Sequence, residues 1–266
     1  MKVGISTASL FMKVPTEGAL PLIEGAGAET AEVFLSTFSE YKTAYAKELV
    51  KAKGRVEINS VHILNTQLEP QFFNGYDRVR ADAYQMLDEV LASAKMLGAK
   101  YYTFHGIARY KKSSRNPAND NFARLGKRIG EVASFCEERG IRLCLENVEW
   151  STYNREGVFT ELKKYAPSLL GVLDTKQARI SGVPYERYLE EMGENLAYVH
   201  LSDVDENGKI RLPGQGIFPF EELIKRLKGV GFGGSLIIEV YEDSYEKIEE
   251  LAPAVEYLKE IIDKNN

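Results

Sequence analysis

The sequence predicts an α/β fold, a single (β/α)8 TIM barrel spanning residues 1–266. Three observations carry this expectation. Short apolar, β-branched or aromatic runs alternate with longer stretches of helical periodicity along the whole chain. Eight such pairs can be counted, and 266 residues suit one barrel of about 250 better than two small domains or an open doubly wound sheet. Each strand run is nearly continuously apolar, as parallel strands buried on both faces are.

The first pair is a strand at 2–7 and a helix at 16–26, and the second a strand at 30–35 and a helix at 40–53. In the third, a strand at 57–64 precedes a helix at 77–97, where Asp77 is a candidate N-cap and Gly98 can take the left-handed conformation that ends a helix. The fourth joins a strand at 100–105 to a helix at 119–139, capped by Asn119 or Asp120 and stopped by Gly140. The remaining strands, at 142–146, 170–174, 196–201 and 235–240, lead into helices at 157–165, 184–192, 220–230 and 245–264. No linker rich in Pro, Gly or Ser and no low-complexity segment divides the chain. The longest irregular piece, GIARYKKSSRNPA at 106–118, is basic and polar, suited to a lid over a site or to a solvated loop. A second loop, 203–218, contains the turn-forming LPGQG at 212–216.

With 44% hydrophobic and 27% charged residues, the chain can bury a large core and stay soluble. No long apolar run with a small-residue cleavage site and no uncharged stretch of about 18 to 20 apolar residues is present, so a cytoplasmic protein without membrane insertion is expected. Cys136 and Cys144 read as reduced core residues. A net charge of -5 and a pI near 5.5 disfavour nucleic acid unless a basic trough forms, for instance around Lys111, Lys112 and Arg115.

The three histidines, His62, His105 and His200, all lie in or at the end of strand runs. Three further strands finish in acids: Glu146 in RLCLEN, Asp174 in GVLDT and Glu239 in LIIEVY. The C-terminal ends of barrel strands converge on one mouth. One carboxylate there is commonly a cap or half of an ion pair, but six ionisable groups together would be costly to bury without compensation, and a shared cation is the simplest. Carboxylates with imidazole suit Mn²⁺, Zn²⁺, Co²⁺ or Mg²⁺ alike.

The segments SVHIL, TFHG, LCLEN, GVLDT, YVHLSD, LPGQG and LIIEVY, in that order, make the whole chain resemble the xylose isomerase-like barrel superfamily. That superfamily includes ketose 3-epimerases, hydroxypyruvate isomerases, inosose dehydratases and class IV apurinic endonucleases. The resemblance implies one divalent metal on Glu146, Asp174, His200 and Glu239. His62 and His105 match two additional zinc positions of the endonucleases, which makes them candidates for a second metal or for substrate contact. Gln177 stands where those enzymes usually have histidine, and the Asp-x-His pair expected after the seventh strand is absent, so a complete trinuclear site is not implied.

The chemistry implied is that of a metal-dependent sugar isomerase or epimerase. Glu146 and Glu239 flank a hydroxyketone: one removes the proton beside the carbonyl, an enediolate forms, and the other returns a proton to the opposite face or the neighbouring carbon. Asp174 and His200 are electrostatic and positional. Three carboxylates around a divalent ion leave about -1, which favours a neutral polyol substrate. Lys176 and Arg211, on loops at the mouth, are either solvated or positioned to meet an anionic group; Gln177 is a further substrate contact. Trp150 can wall a sugar ring, Phe11 can do likewise, and Glu32 can support a ligand or belong to an internal polar layer. The alternatives are a metal-dependent phosphodiester hydrolase, a keto-polyol dehydratase and a catalytically silent metal-binding barrel; a second metal on His62 and His105 would favour hydrolysis. Related barrels form dimers or tetramers, so a homo-oligomer is a further expectation.

Overall fold

The computed structural model describes residues 1–64, 68–108 and 122–265. In chain order the elements are β1 (Lys2–Ser6), α1 (Thr16–Gly25), β2 (Thr30–Leu35), α2 (Thr43–Ala52), β3 (Glu57–Ile63), α3 (Asp77–Leu97), β4 (Tyr101–Phe104), α4 (Phe122–Glu137), β5 (Arg142–Glu146) and α5 (Val158–Lys163). They continue with β6 (Leu170–Asp174), α6 (Thr175–Ser181), α7 (Tyr185–Met192), β7 (Leu196–Leu201), β8 (Asp203–Val204), β9 (Ile210–Arg211), α8 (Phe220–Gly229), β10 (Ser235–Ile238) and α9 (Leu251–Lys264). Strands β1 to β7 and β10 close a parallel barrel in the order β1-β10-β7-β6-β5-β4-β3-β2. The expected (β/α)8 barrel is therefore the observed one.

Closure joins β1 to β10 in parallel register, Gly4 opposite Ile237. A Cβ on Gly4 would sit 2.6 Å from the Thr30 carbonyl oxygen on β2 and 2.7 Å from Ile237 Cδ1 on β10, so this position between the two neighbouring strands requires glycine. The main apolar core lies between the strands and the surrounding helices, and a smaller cluster of Cys144, Val172, Ala197, Tyr198 and Ile237 forms a second core. Cys136 and Cys144 are free and buried, as expected. Among the described residues no helix is long and apolar enough to cross a membrane.

Several boundaries differ from expectation for local reasons. Helix α2 starts at Thr43 rather than 40, because the Glu40 carboxylate accepts the N–H groups of Ser36 at 2.6 Å and Thr37 at 3.2 Å and so belongs to a preceding turn. Asp77 is the first helical residue of α3, not its cap; that position is Tyr76, whose N–H donates to Asn74 Oδ1. Gly98, at φ 80°, does end α3. The candidate caps Asn119 and Asp120, most of the 106–118 loop, and Lys111, Lys112 and Arg115 lie outside the described residues. The last helix begins at Leu251, after two 3-10 turns, and not at 245. Pro253 explains this: it is tolerated in a first turn, whose N–H groups have no helical acceptor, but not a turn or two further in.

Two elements were not expected. Helix α6 starts directly at the end of β6 because the Asp174 carboxylate accepts the Gln177 N–H at 2.7 Å, and it ends at Gly182 with φ 70°. The loop after β7 folds into the antiparallel β8–β9 hairpin. Its anchor is Asp203, whose carboxylate accepts the N–H groups of Val204, Gly214, Gly216 and Phe218 at 2.8, 3.0, 2.8 and 2.9 Å. Gly216 passes so close that a Cβ would lie 2.5 Å from Asp203 Oδ1. Asp203→Ala leaves these donors to water and is expected to cost about 2–3 kcal/mol in urea unfolding, while Asp203→Asn, which keeps one acceptor oxygen, costs less.

Candidate metal centre

Glu146 and Asp174 are the last residues of β5 and β6, His200 lies one residue before the end of β7, and Glu239 directly follows β10. Each offers a ligand atom, and those atoms lie within 4.8 Å of one another. Register contributes directly, since Asp174 and His200 are paired across β6 and β7. His200 Nδ1 is 2.9 Å from Glu146 Oε1 and 3.1 Å from Glu239 Oε2. Asp174 Oδ1 is taken by the Gln177 N–H, whereas Asp174 Oδ2 and Glu239 Oε2 are buried without a hydrogen-bond donor among the described residues. Two unspent carboxylate oxygens converging on an imidazole nitrogen are the donor set a divalent cation takes, so the residues fit such an ion.

The supporting layer is built from below. Glu32, on β2, is fully buried and accepts the hydroxyls of Ser6, Ser60 and Thr103 at 3.1, 2.8 and 2.5 Å. Its Oε1 faces His200 Nε2 at 3.2 Å, so Glu32 holds the imidazole from the side opposite Nδ1. Glu32 therefore sits in an internal polar layer, and its contact with the candidate ligand His200 is one of charge without a hydrogen bond. Glu69 was not anticipated: from a 3-10 turn after β3 it accepts the N–H groups of His105 and Gly106 at 2.8 and 3.0 Å and the Tyr102 hydroxyl at 3.1 Å. His105 Nε2 in turn lies 2.8 Å from Glu146 Oε2.

These contacts set the charges. Burial opposes the charge on Glu146, but His200 and His105 outweigh it and hold the carboxyl well below its usual range. Glu32 is likewise held low, against burial, by His200 and His62. Burial works against a charged His105, and its contacts with Glu146 and Glu69 still raise it to about 10. His200 is raised well above the ordinary imidazole range in spite of burial, by Glu239, Glu32 and Glu146. Asp174 is pushed up to about 7 by burial, with Lys176 opposing and Glu146 and Glu239 reinforcing. Glu32→Gln keeps the shape but removes the charge behind His200, and divalent-ion affinity is expected to fall about 10–100-fold in a calorimetric titration.

The other candidates separate clearly. His62, His105 and Glu146 form a second group of converging ligand atoms. An aromatic chain runs from Phe11 through Phe34, His62 and His105 to Trp150, with successive centroids 5.5, 5.1, 4.8 and 5.4 Å apart. Trp150 and Phe11 therefore join one wall, and Phe34, two residues after Glu32 on β2, is the link the sequence did not single out. The Gln177 side chain accepts the Glu149 N–H at 3.2 Å. Arg211 is turned aside, its guanidinium 2.9 Å from Asp205 on the β8–β9 hairpin. Lys176 is not solvated: its side chain is 3% exposed, with Nζ 3.6 Å from both Asp174 Oδ2 and Glu239 Oε1.

Comparison with known proteins agrees with this architecture. A fructoselysine 3-epimerase of Escherichia coli O157:H7 is 24% identical over 174 residues, which is 62% of this chain and 62% of that enzyme. The match thus spans less than two thirds of the relative's length. Among solved structures, a D-tagatose 3-epimerase-like protein superposes with a TM-score of 0.80 at 20% identity, covering 100% of this chain and 98% of its own. The IOLI protein, solved with a zinc atom, superposes with a TM-score of 0.78 at 17% identity, covering 100% and 99%. Residues 20–261 match a family profile as well, and with that match spanning the closed barrel the chain belongs to the xylose isomerase-like TIM barrel family.

Proposed function

We propose that this chain is a divalent-metal-dependent isomerase or epimerase of a sugar or sugar-like keto-polyol, working through an enediolate. The observation that carries the reading is the convergence of Glu146, Asp174, His200 and Glu239 at one barrel mouth, with buried carboxylate oxygens left unspent. A bound Mn, Zn, Co or Mg ion would supply Lewis-acid polarisation of the substrate's carbonyl and hydroxyl oxygens. Glu239, whose side chain is 12% exposed against 2% for Glu146, is the carboxylate with the freer access to substrate and is assigned proton removal beside the carbonyl. Glu146, held by His105 and His200, is assigned proton return, with His105 positioned to share that proton. Trp150 and Phe34 form the apolar side of the site and exclude water from it.

The relatives described as 3-epimerases support epimerisation ahead of isomerisation and dehydration. The whole chain, residues 1–266, acts on this reading as one unit on a small-molecule polyol in the cytoplasm, as a homo-oligomer, without membrane or nucleic acid.

The test combines elemental analysis with proton NMR in D2O. About one divalent ion per chain, and solvent deuterium entering the carbon beside the carbonyl of D-fructose, D-tagatose or L-ribulose, are expected. Deuterium at C3 identifies epimerisation and at C1 isomerisation. No exchange into any ketose with metal bound would overturn the reading. Two ions per chain together with phosphodiester cleavage would establish hydrolysis on the His62, His105 and Glu146 group instead.

A further inference from the structure

Lys176 has a placement that the proton-transfer chemistry above does not use. It lies in the first turn of α6, whose start is fixed by the Asp174 cap and by the Thr175 hydroxyl, which donates to the His200 carbonyl at 3.4 Å. Its ammonium is 3.6 Å from a carboxylate oxygen of Asp174 and of Glu239, and 4.6 Å from the centroid of the Tyr241 ring. Both carboxylate separations exceed hydrogen-bond length, and among the described residues the ammonium donates no hydrogen bond. The Lys176 side chain is 3% exposed, and its N–H donors are left to a ligand or solvent at the metal centre.

The local charge points the same way. Glu146, Asp174 and Glu239 around a divalent ion leave about one negative charge, which by itself would repel an anionic substrate. Lys176 cancels it.

We infer that Lys176 anchors an anionic oxygen of the substrate at the edge of the metal centre. The inference rests on the metal-dependent reading above and narrows its substrate class: the oxygen belongs either to a permanent carboxylate, making the substrate a keto sugar acid, or to the oxyanion that develops when the neighbouring proton leaves. Lys176 is a positioning residue of fixed charge and takes no proton in this role.

The experiment uses the full chain loaded with Co²⁺, whose visible spectrum reports changes at the metal, and compares wild type with Lys176→Met and Lys176→Arg. Co²⁺ affinity is measured first. If wild type binds no Co²⁺, the metal-dependent reading fails, and the inference with it; if it binds, the inference is tested by itself. Co²⁺ affinity is expected to be unchanged or tighter in Lys176→Met, because a neighbouring positive charge is gone. Glycolate, which carries a permanent carboxylate, and acetohydroxamate, which mimics an enediolate without one, are then titrated. At least about a tenfold loss of affinity in Lys176→Met, partly restored in Lys176→Arg, is expected for one probe or both. Loss for glycolate alone identifies the carboxylate source, and loss for acetohydroxamate identifies the oxyanion. Loss of Co²⁺ binding in Lys176→Met would make the lysine a structural counter-ion, and unchanged affinity for both probes would leave it a spectator; either result overturns the inference.

Discussion

Glu146→Ala is expected to abolish divalent-metal binding and to destabilise the protein by about 3–5 kcal/mol, because Glu146 is a candidate ligand and, among the described residues, the only carboxylate that touches His105 and His200 together. In the folded chain its two oxygens are divided, Oε2 at 2.8 Å from His105 Nε2 and Oε1 at 2.9 Å from His200 Nδ1. Without it, each of two buried imidazoles loses one of the carboxylates that hold its charge, with Glu69 left beside His105 and Glu239 and Glu32 beside His200. The carboxylate is less than 3% exposed, so little water can substitute for it. Denaturant unfolding followed by circular dichroism reads the loss of stability, and elemental analysis reads the loss of metal. Glu146→Gln separates the two effects: it preserves the packing and restores much of the stability, while metal affinity stays below wild type because the ligand's charge is gone. A metal content equal to wild type in Glu146→Ala would remove Glu146 from the centre.

Glu239→Gln is expected to leave the fold intact and to lower kcat by about 10²–10⁴-fold, with part of the metal affinity retained. The reasoning is positional. Glu239 follows β10 and its N–H donates to the Leu201 carbonyl at 2.9 Å, which fixes the backbone, while its side chain keeps more exposure than those of the other three candidate ligands. An amide at this position can still offer an oxygen to a cation but cannot accept the substrate's proton. Steady-state kinetics on a ketose found to exchange deuterium, with metal content measured on the same samples, reads both. Turnover unchanged within a factor of two would take proton transfer away from Glu239.

The part of this architecture that was legible in the sequence is the part written in continuous apolar runs. Strands β2, β5, β6 and β7 have the expected bounds, and with them Glu146, Asp174 and His200 fall at or next to strand ends, because in β5, β6 and β7 the run leading to each is apolar apart from Arg142 at the start of β5. What was not legible depends on which loop folds onto which strand. Glu69 belongs to a short turn with no periodic pattern, yet it fixes the backbone of His105 on β4. Lys176 is an ordinary polar residue in sequence, and its burial follows only once α6 and the end of β10 bring Asp174 and Glu239 to either side of it. Arg211 is the converse: the loop that seemed to aim it at the mouth closes into a hairpin that pairs it with Asp205.

The seam between β1 and β10 also has a bearing on how the chain matures. Glu32 and His62 come from the first third of the polypeptide, Glu146 and Asp174 from the middle third, His200 from the last third, and Glu239 from just after the strand that closes the ring. A growing polypeptide therefore possesses only fragments of the donor set until its last strand has been made and docked against the first. Long-range pairing of this kind is slow to form. A cation that binds the closed barrel and not its precursors would then act late, drawing the closed population forward by mass action.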